Sequence, residues 1–197
     1  MRLTLIAAAL ATACTFAQAA PVQVFESSAA TGVTTQAAAS GIMTRFEVSA
    51  GTTITNIAIE TDLASAGGLQ YFIFNSITGA LLYQSALKAF ADDGLAFKLS
   101  DAFSFDLNVG TRYAIGAVAD VANVQSYVFP GALTVGAISS LGKNQNIFAG
   151  VFDDRLIFAD GRIRLFVNGT TAVPEPATLA LVGLGLLAAS AIRRKAA

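Results

Sequence analysis

The chain has 197 residues, with 12 basic and 13 acidic side chains, no His, no Trp and a single Cys. It is 54% hydrophobic and only 13% charged, about half the ~25% charged content of an ordinary soluble domain. A net charge of −1 gives no field to draw nucleic acid or an anionic surface, and without His there is no imidazole base, no Ser-His-Asp triad and no His-ligated zinc.

Residues 1–19 read as a cleavable signal peptide. Arg2 is the positive n-region, Leu3 to Ala13 form the apolar h-region, and Ala17-Gln18-Ala19 fits the small-x-small rule for signal peptidase. Cleavage after Ala19 leaves Pro21 one residue clear of the scissile bond. A lipoprotein signal using Cys14 is disfavoured, because Ala11-Thr12-Ala13 is a poor lipobox. Cleavage removes Cys14, so the mature chain has no disulfide and no thiol chemistry.

Residues 20–172 remain as one ectodomain, with 12 acidic and 8 basic side chains. Its apolar residues come in short β-branched and aromatic runs. The expected strands are Ile42 to Val48, a Thr-rich stretch through Ile54, Ile57 and Ile59, Leu69 to Phe74, and Leu81 to Tyr83 paired back across Asn75–Gly79. Further on they are Leu95 to Leu99, Phe103 to Leu107, Tyr113 to Ala119, Ser126 to Phe129, Leu156 to Phe158 and Ile163 to Val167. Ala86 to Ala91 is the one expected helical piece. About ten strands divided by Gly, Asp, Asn and Ser predict an all-β fold, a single jelly-roll-like β-sandwich, with an immunoglobulin-like sandwich as the alternative.

Phe46-Glu47-Val48-Ser49-Ala50-Gly51-Thr52 matches Phe105-Asp106-Leu107-Asn108-Val109-Gly110-Thr111 in residue type, position by position. The match predicts two equivalent hairpins, each turning on its glycine; common hairpin chemistry arising twice is the competing explanation.

Residues able to do chemistry are few. Asp92-Asp93-Gly94, Asp153-Asp154 and Asp160-Gly161 are oxygen-rich, but none has EF-hand spacing and Asp-Gly is first a turn former, so they are expected to be turns without metal. Glu26, Glu47, Glu60 and several Asp are the carboxylates from which a glycosidase pair would have to come. Tyr71, Tyr83, Tyr113 and Tyr127 are the aromatic candidates for a sugar platform; with fourteen Phe and no Trp, they are expected to lie mostly in the core or at sheet edges. Gly142-Lys143-Asn144-Gln145-Asn146 is expected to be a solvated loop, and Asn168-Gly169-Thr170 the last turn or linker rather than a used sequon. No catalytic residue, cofactor or metal is expected. The expected function is a non-catalytic surface or matrix sandwich, adhesive or glycan-associated; the alternative is a secreted carboxylate-dependent glycan hydrolase.

The chain ends differently. Val173-Pro174-Glu175-Pro176 cannot belong to a helix interior or a central strand, because two prolines fix φ and remove two donors. Seventeen uncharged residues follow Glu175, at the lower limit of the ~17–25 that cross a bilayer, with the transmembrane helix expected over residues 177–192. Arg193, Arg194 and Lys195 close it as a basic, cytoplasmic stop.

Pro-Glu-Pro, an apolar span and a terminal basic cluster together resemble the PEP-CTERM sorting signal, over residues 173–197. This tail is also called the ice-binding protein C-terminal domain, a name that does not establish ice binding. The resemblance implies a precursor anchored in the inner membrane, recognised at Pro174, Glu175 and Pro176 by an exosortase and passed to the cell surface or extracellular matrix. It implies a setting rich in exopolysaccharide.

Overall fold

A computed structural model describes residues 20–157 and 159–169, without the side chains of 154–157. Residues Pro21–Asn168 form a compact unit, built of seventeen strands among the described residues. The first half holds β1 (Pro21–Glu26), β2 (Gly32–Gln36), β3 (Ser40–Val48), β4 (Thr52–Ile54), β5 (Asn56–Leu63), β6 (Gly67–Asn75), β7 (Leu81–Gln84) and β8 (Lys88–Phe90). The second half holds β9 (Ala96–Leu99), β10 (Phe105–Leu107), β11 (Tyr113–Ala119), β12 (Asn123–Val128), β13 (Ala132–Val135), β14 (Ile138–Phe148), β15 (Val151–Ile157), β16 (Asp160–Gly161) and β17 (Ile163–Asn168).

Two large antiparallel sheets form the expected β-sandwich. One runs β1-β17-β5-β12-β16, with β2 on β12 and β9 on β5; the other runs β13-β14-β3-β11-β6-β7, with β15 on β14 and β8 on β6. A small third sheet pairs β4 with β10. Alternation decides which side chains meet between the sheets. Phe46 and Val48 of β3, Leu69, Tyr71 and Ile73 of β6, and Tyr113, Ile115 and Ala117 of β11 turn inward onto Ile57, Ile59, Ile163 and Leu165 of the facing sheet. Phe25 meets Phe46 edge-to-face at 5.1 Å, and each such ring contributes about 1.5–3 kcal/mol by leaving water. The Tyr71 hydroxyl donates to the Lys98 carbonyl at 2.7 Å, so a core phenol keeps a partner across the sandwich.

The opposite face of the eight-stranded sheet carries a second apolar cluster of Met43, Phe72, Phe74, Ala114, Val118 and Ile147. Phe152 of β15 lies on Phe74 at 5.4 Å between ring centres. A strand apolar on both faces, as Leu69 to Phe74 is, therefore has work for each face.

Several expectations change. Ala86 to Ala91 is not helical: Lys88, Ala89 and Phe90 pair with Leu69, Gly68 and Gly67 of β6. Six residues are too few to sustain a helix, whereas an open strand edge offers immediate hydrogen bonds. Residues 142–146 are no solvated loop but part of β14, with Asn144 and Gln145 both only 2% exposed. A register shift between Ser140 and Asn144, with Gly142 at φ +66°, lets the polar run stay in the sheet. Asp160-Gly161 is no turn either: it pairs with Val128 and Tyr127 of β12. Asp153 and Asp154 lie within β15.

The repeated segments do not form two separate hairpins. They pair with one another: Phe105 faces Ile54 in β10–β4, and the equivalent Phe46 faces Tyr113 in β3–β11. The two registers are the same register read from either copy, a local twofold that joins the small sheet to a large one. Only Gly110 has the left-handed backbone expected of both glycines, at φ +82°.

Candidate functional site

At one end of the sandwich a cleft of about 480 Å³ opens between the sheets. It is lined by Thr34 and Gln36 of β2, Ile42 of β3, Tyr127 of β12, Phe129, Asn144 and Asn146 of β14, and Ala159. Register explains how they converge. Tyr127 stands opposite Gly32 and Gln125 opposite Thr34, while Asn144 and Asn146 stand opposite Thr44 and Ile42. Gly32 seats the tyrosine ring: a Cβ there would lie 2.5 Å from the Tyr127 hydroxyl oxygen.

The floor is polar and closed. Gln125 spans the sheets, accepting from the Ile42 amide at 2.8 Å and donating to the Ala117 carbonyl at 3.3 Å. Thr44 donates to the Gly161 carbonyl at 2.9 Å. Thr31 fixes the outer lip, its amide donating to the Tyr127 carbonyl at 2.9 Å and its hydroxyl accepting from the Phe129 amide at 2.9 Å. Behind the cleft, fully buried Asp160 accepts from the Gly142 amide at 3.2 Å. Burial pushes its carboxyl up to about 7, against the opposing pull of bonds from Ser140, Gly142 and Lys143.

One lining atom is unmatched. Asn144 is buried, yet its Oδ1 has no hydrogen-bond partner. A buried acceptor left so costs about 1–3 kcal/mol, and such groups call for a ligand or water. The cleft thus offers an exposed Phe129 ring, a half-buried Tyr127 ring, three amides and a hydroxyl. Among the described residues none that line it is charged.

The carboxylates considered for glycan hydrolysis are held elsewhere. On the seven-stranded sheet Glu26 accepts from Arg164 at 2.9 Å, and Arg162 bonds both Glu60 and Glu26. Arg164 in turn lies 3.8 Å over the Phe97 ring. The Arg164 bond holds the Glu26 carboxyl below its ordinary range. Glu47, on the other sheet, meets Arg112 at 3.4 Å. The described residues contain no group of three or more His, Cys, Asp or Glu placed to hold a metal ion.

Of the four tyrosines, Tyr71 and Tyr113 are core residues, and Tyr83 stacks on Phe103 at 4.3 Å. Only Tyr127 reaches the cleft. Asn168 ends β17 opposite Pro21. Asn144 and Asn146 had one sequence signal, their spacing of two, which on a strand puts both on one face. Phe129, Gln36, Thr34 and Ile42 had none, since pairing between distant strands brings them together.

The sorting residues Pro174, Glu175 and Pro176, the stop at Arg193, Arg194 and Lys195, the cleavage residues Ala17 and Ala19, and the expected span at 177–192 all lie outside the described residues. Among the described residues no helix is long and apolar enough to cross a membrane. No curated protein and no solved structure matches the chain. Residues 172–195 match the family model of the PEP-CTERM protein-sorting motif. The chain carries that motif, and with it the mark of an exported surface protein sorted by an exosortase.

Proposed function

We propose that the sandwich is a non-catalytic, glycan-associated module, displayed at the cell surface or in the extracellular matrix after removal from an inner-membrane precursor. It holds an uncharged sugar in the cleft around Tyr127 and Asn144. The observation that carries this reading is the unpartnered Asn144 Oδ1 in a cleft whose described lining offers aromatic and amide side chains and no charge. A sugar ring has an apolar face for an aromatic ring and hydroxyls for amides. A hydroxyl donated to Asn144 would satisfy the orphan acceptor. The implied exopolysaccharide setting supplies the ligand class.

Isothermal titration of the exported protein with neutral exopolysaccharide fragments tests this. Asn144→Ala and Tyr127→Ala should each weaken binding about ten-fold or more, equivalent to ~1.4 kcal/mol or above. Unchanged affinity in both variants would remove the cleft from consideration. Release of reducing ends from the same fragments, abolished by one Glu→Gln change, would establish the hydrolase instead.

A further inference from the structure

The row of side chains that lines the cleft on β14 continues past it. From residue 144 to residue 148 the strand runs in unbroken register along β3, with Asn144 opposite Thr44, Asn146 opposite Ile42 and Phe148 opposite Ser40. Successive side chains of a strand take opposite faces. Ile147 packs into the apolar cluster outside the eight-stranded sheet, and Phe152, its partner across the hairpin, packs against the same cluster. Asn144, Asn146 and Phe148 therefore share the other face, the one that carries the cleft. Phe148 stands about 7 Å beyond Asn146 along the strand.

The facing wall arrives at the same place. Thr34 and Gln36 of β2 line the cleft, and the chain then passes into β3 through a turn at Ala37–Ala39. The Ser40 hydroxyl closes that turn by donating to the Ala37 carbonyl at 2.8 Å. The Ala149 amide, next after Phe148, donates to the Ala39 carbonyl at 2.6 Å. This bond ties the β14–β15 turn to the β2–β3 turn and fixes Phe148 at the Gln36 end of the wall. At the other end Thr31, just before β2, accepts the Phe129 amide at 2.9 Å. The two phenylalanines thus stand at opposite ends of β2, a strand of five residues that spans about 17 Å.

Phe129 and Phe148 are the two most exposed aromatic rings among the described residues, at 57% and 63%. Covering such a ring is worth about 1.5–3 kcal/mol, and the described residues cover neither. Between them lie amides, a hydroxyl and the Tyr127 ring, with no charge among the described lining residues. A single sugar ring does not reach from one phenylalanine to the other; a chain of sugars does, laying apolar faces on the rings and hydroxyls on the amides.

We propose that the cleft binds an interior stretch of a linear neutral polysaccharide, laid along β2 and β14 with Phe129 and Phe148 as stacking platforms at its two ends. The proposal deepens the glycan reading and rests on it for the class of ligand, adding chain length and Phe148.

The test is titration of the exported protein with neutral oligosaccharides of one to six residues cut from a single polysaccharide. Affinity should rise with length, the hexasaccharide binding about ten-fold or more tightly than the disaccharide. Phe148→Ala should remove that gain while leaving disaccharide binding unchanged, and Phe148→Tyr should restore it. The ring is exposed, so neither change threatens the fold. Asn144→Ala should instead weaken both lengths alike. A hexasaccharide blocked at both ends should bind as well as the free one; loss of binding on blocking would overturn recognition of the chain interior. Affinity independent of length, or hexasaccharide binding indifferent to Phe148→Ala, would overturn the extended groove and leave the site at Tyr127 and Asn144 standing. No binding at any length would overturn both. If Phe148→Ala converts a dimer to a monomer in sedimentation without altering hexasaccharide affinity, the ring serves a second copy of the chain and the proposal falls.

Discussion

Asp160 and Glu26 pull stability in opposite directions with pH. Asp160 is fully buried and its carboxyl is raised from 3.8 to about 7, so the folded chain binds this proton more tightly than the unfolded chain. Its contribution is complete below the ordinary carboxylate value and is lost as pH rises through about 7. Glu26, lowered by Arg164, contributes stability above the ordinary value of 4.5 that disappears on acidification. Asp160→Asn keeps an acceptor for the Gly142 amide without the charge. Thermal unfolding followed across this pH range should show the Asn variant gaining on the wild type as pH rises from 3.8 toward about 7, and no further gain above it. A difference in melting temperature independent of pH would mean that Asp160 stays ionised throughout. Glu26→Gln should instead flatten the acid limb of the same curve.

The joined repeat places its weight on a few apolar residues. Ile54 of β4 and Leu107 of β10 are both fully buried in the main core, while Thr53 and Asp106 between them bond at the surface at 2.5 Å. Ile54→Ala and Leu107→Ala should each cost about 2–5 kcal/mol, measured by denaturant unfolding. Val109→Ala, at an exposed position of the same turn, should stay within about 0.5 kcal/mol. Because Ile54 and Leu107 share one patch, the double variant should depart from the sum by about 0.5–3 kcal/mol. Strands with a strong local pattern were legible from the residues alone. Tyr113 to Ala119 matches β11 end to end, and Leu69 to Phe74 falls inside β6. β1, β2 and β13 were not foreseen, because Gln23, Thr34 and Thr134 interrupt any apolar run and partners from distant strands hold the segments in place. Residues 142–146 depart from the expected loop for the converse reason. Asn and Gln ordinarily mark loops, but here Gln145 finds a buried carbonyl and Asn144 faces the cleft. The cleft was visible only as fragments, since no local pattern tells Tyr127 that Asn144 will stand beside it.

At the scale of the whole chain, sorting and folding divide along the sequence. Replacing Pro174, Glu175 and Pro176 by alanine should leave an uncleaved, membrane-retained precursor, detected by fractionation and by intact mass of the released protein; normal release of the variant would count against exosortase recognition of the tripeptide. The sandwich should be unaffected, since its strands end at Asn168. The position of β17 adds a constraint of timing. The last strand among the described residues is not an edge strand: it lies between β1 and β5 and brings Ile163 and Leu165, both fully buried, to the core. While the chain emerges from its N-terminus, the seven-stranded sheet has an empty lane and β1 has no partner in it. A nascent chain that stops short of β17 therefore lacks an interior strand of this sheet and cannot complete it. β17 ends at Asn168, and the match to the sorting motif begins at residue 172. The residues that complete this sheet therefore all precede the matched motif, so a chain cut within the motif keeps every described strand.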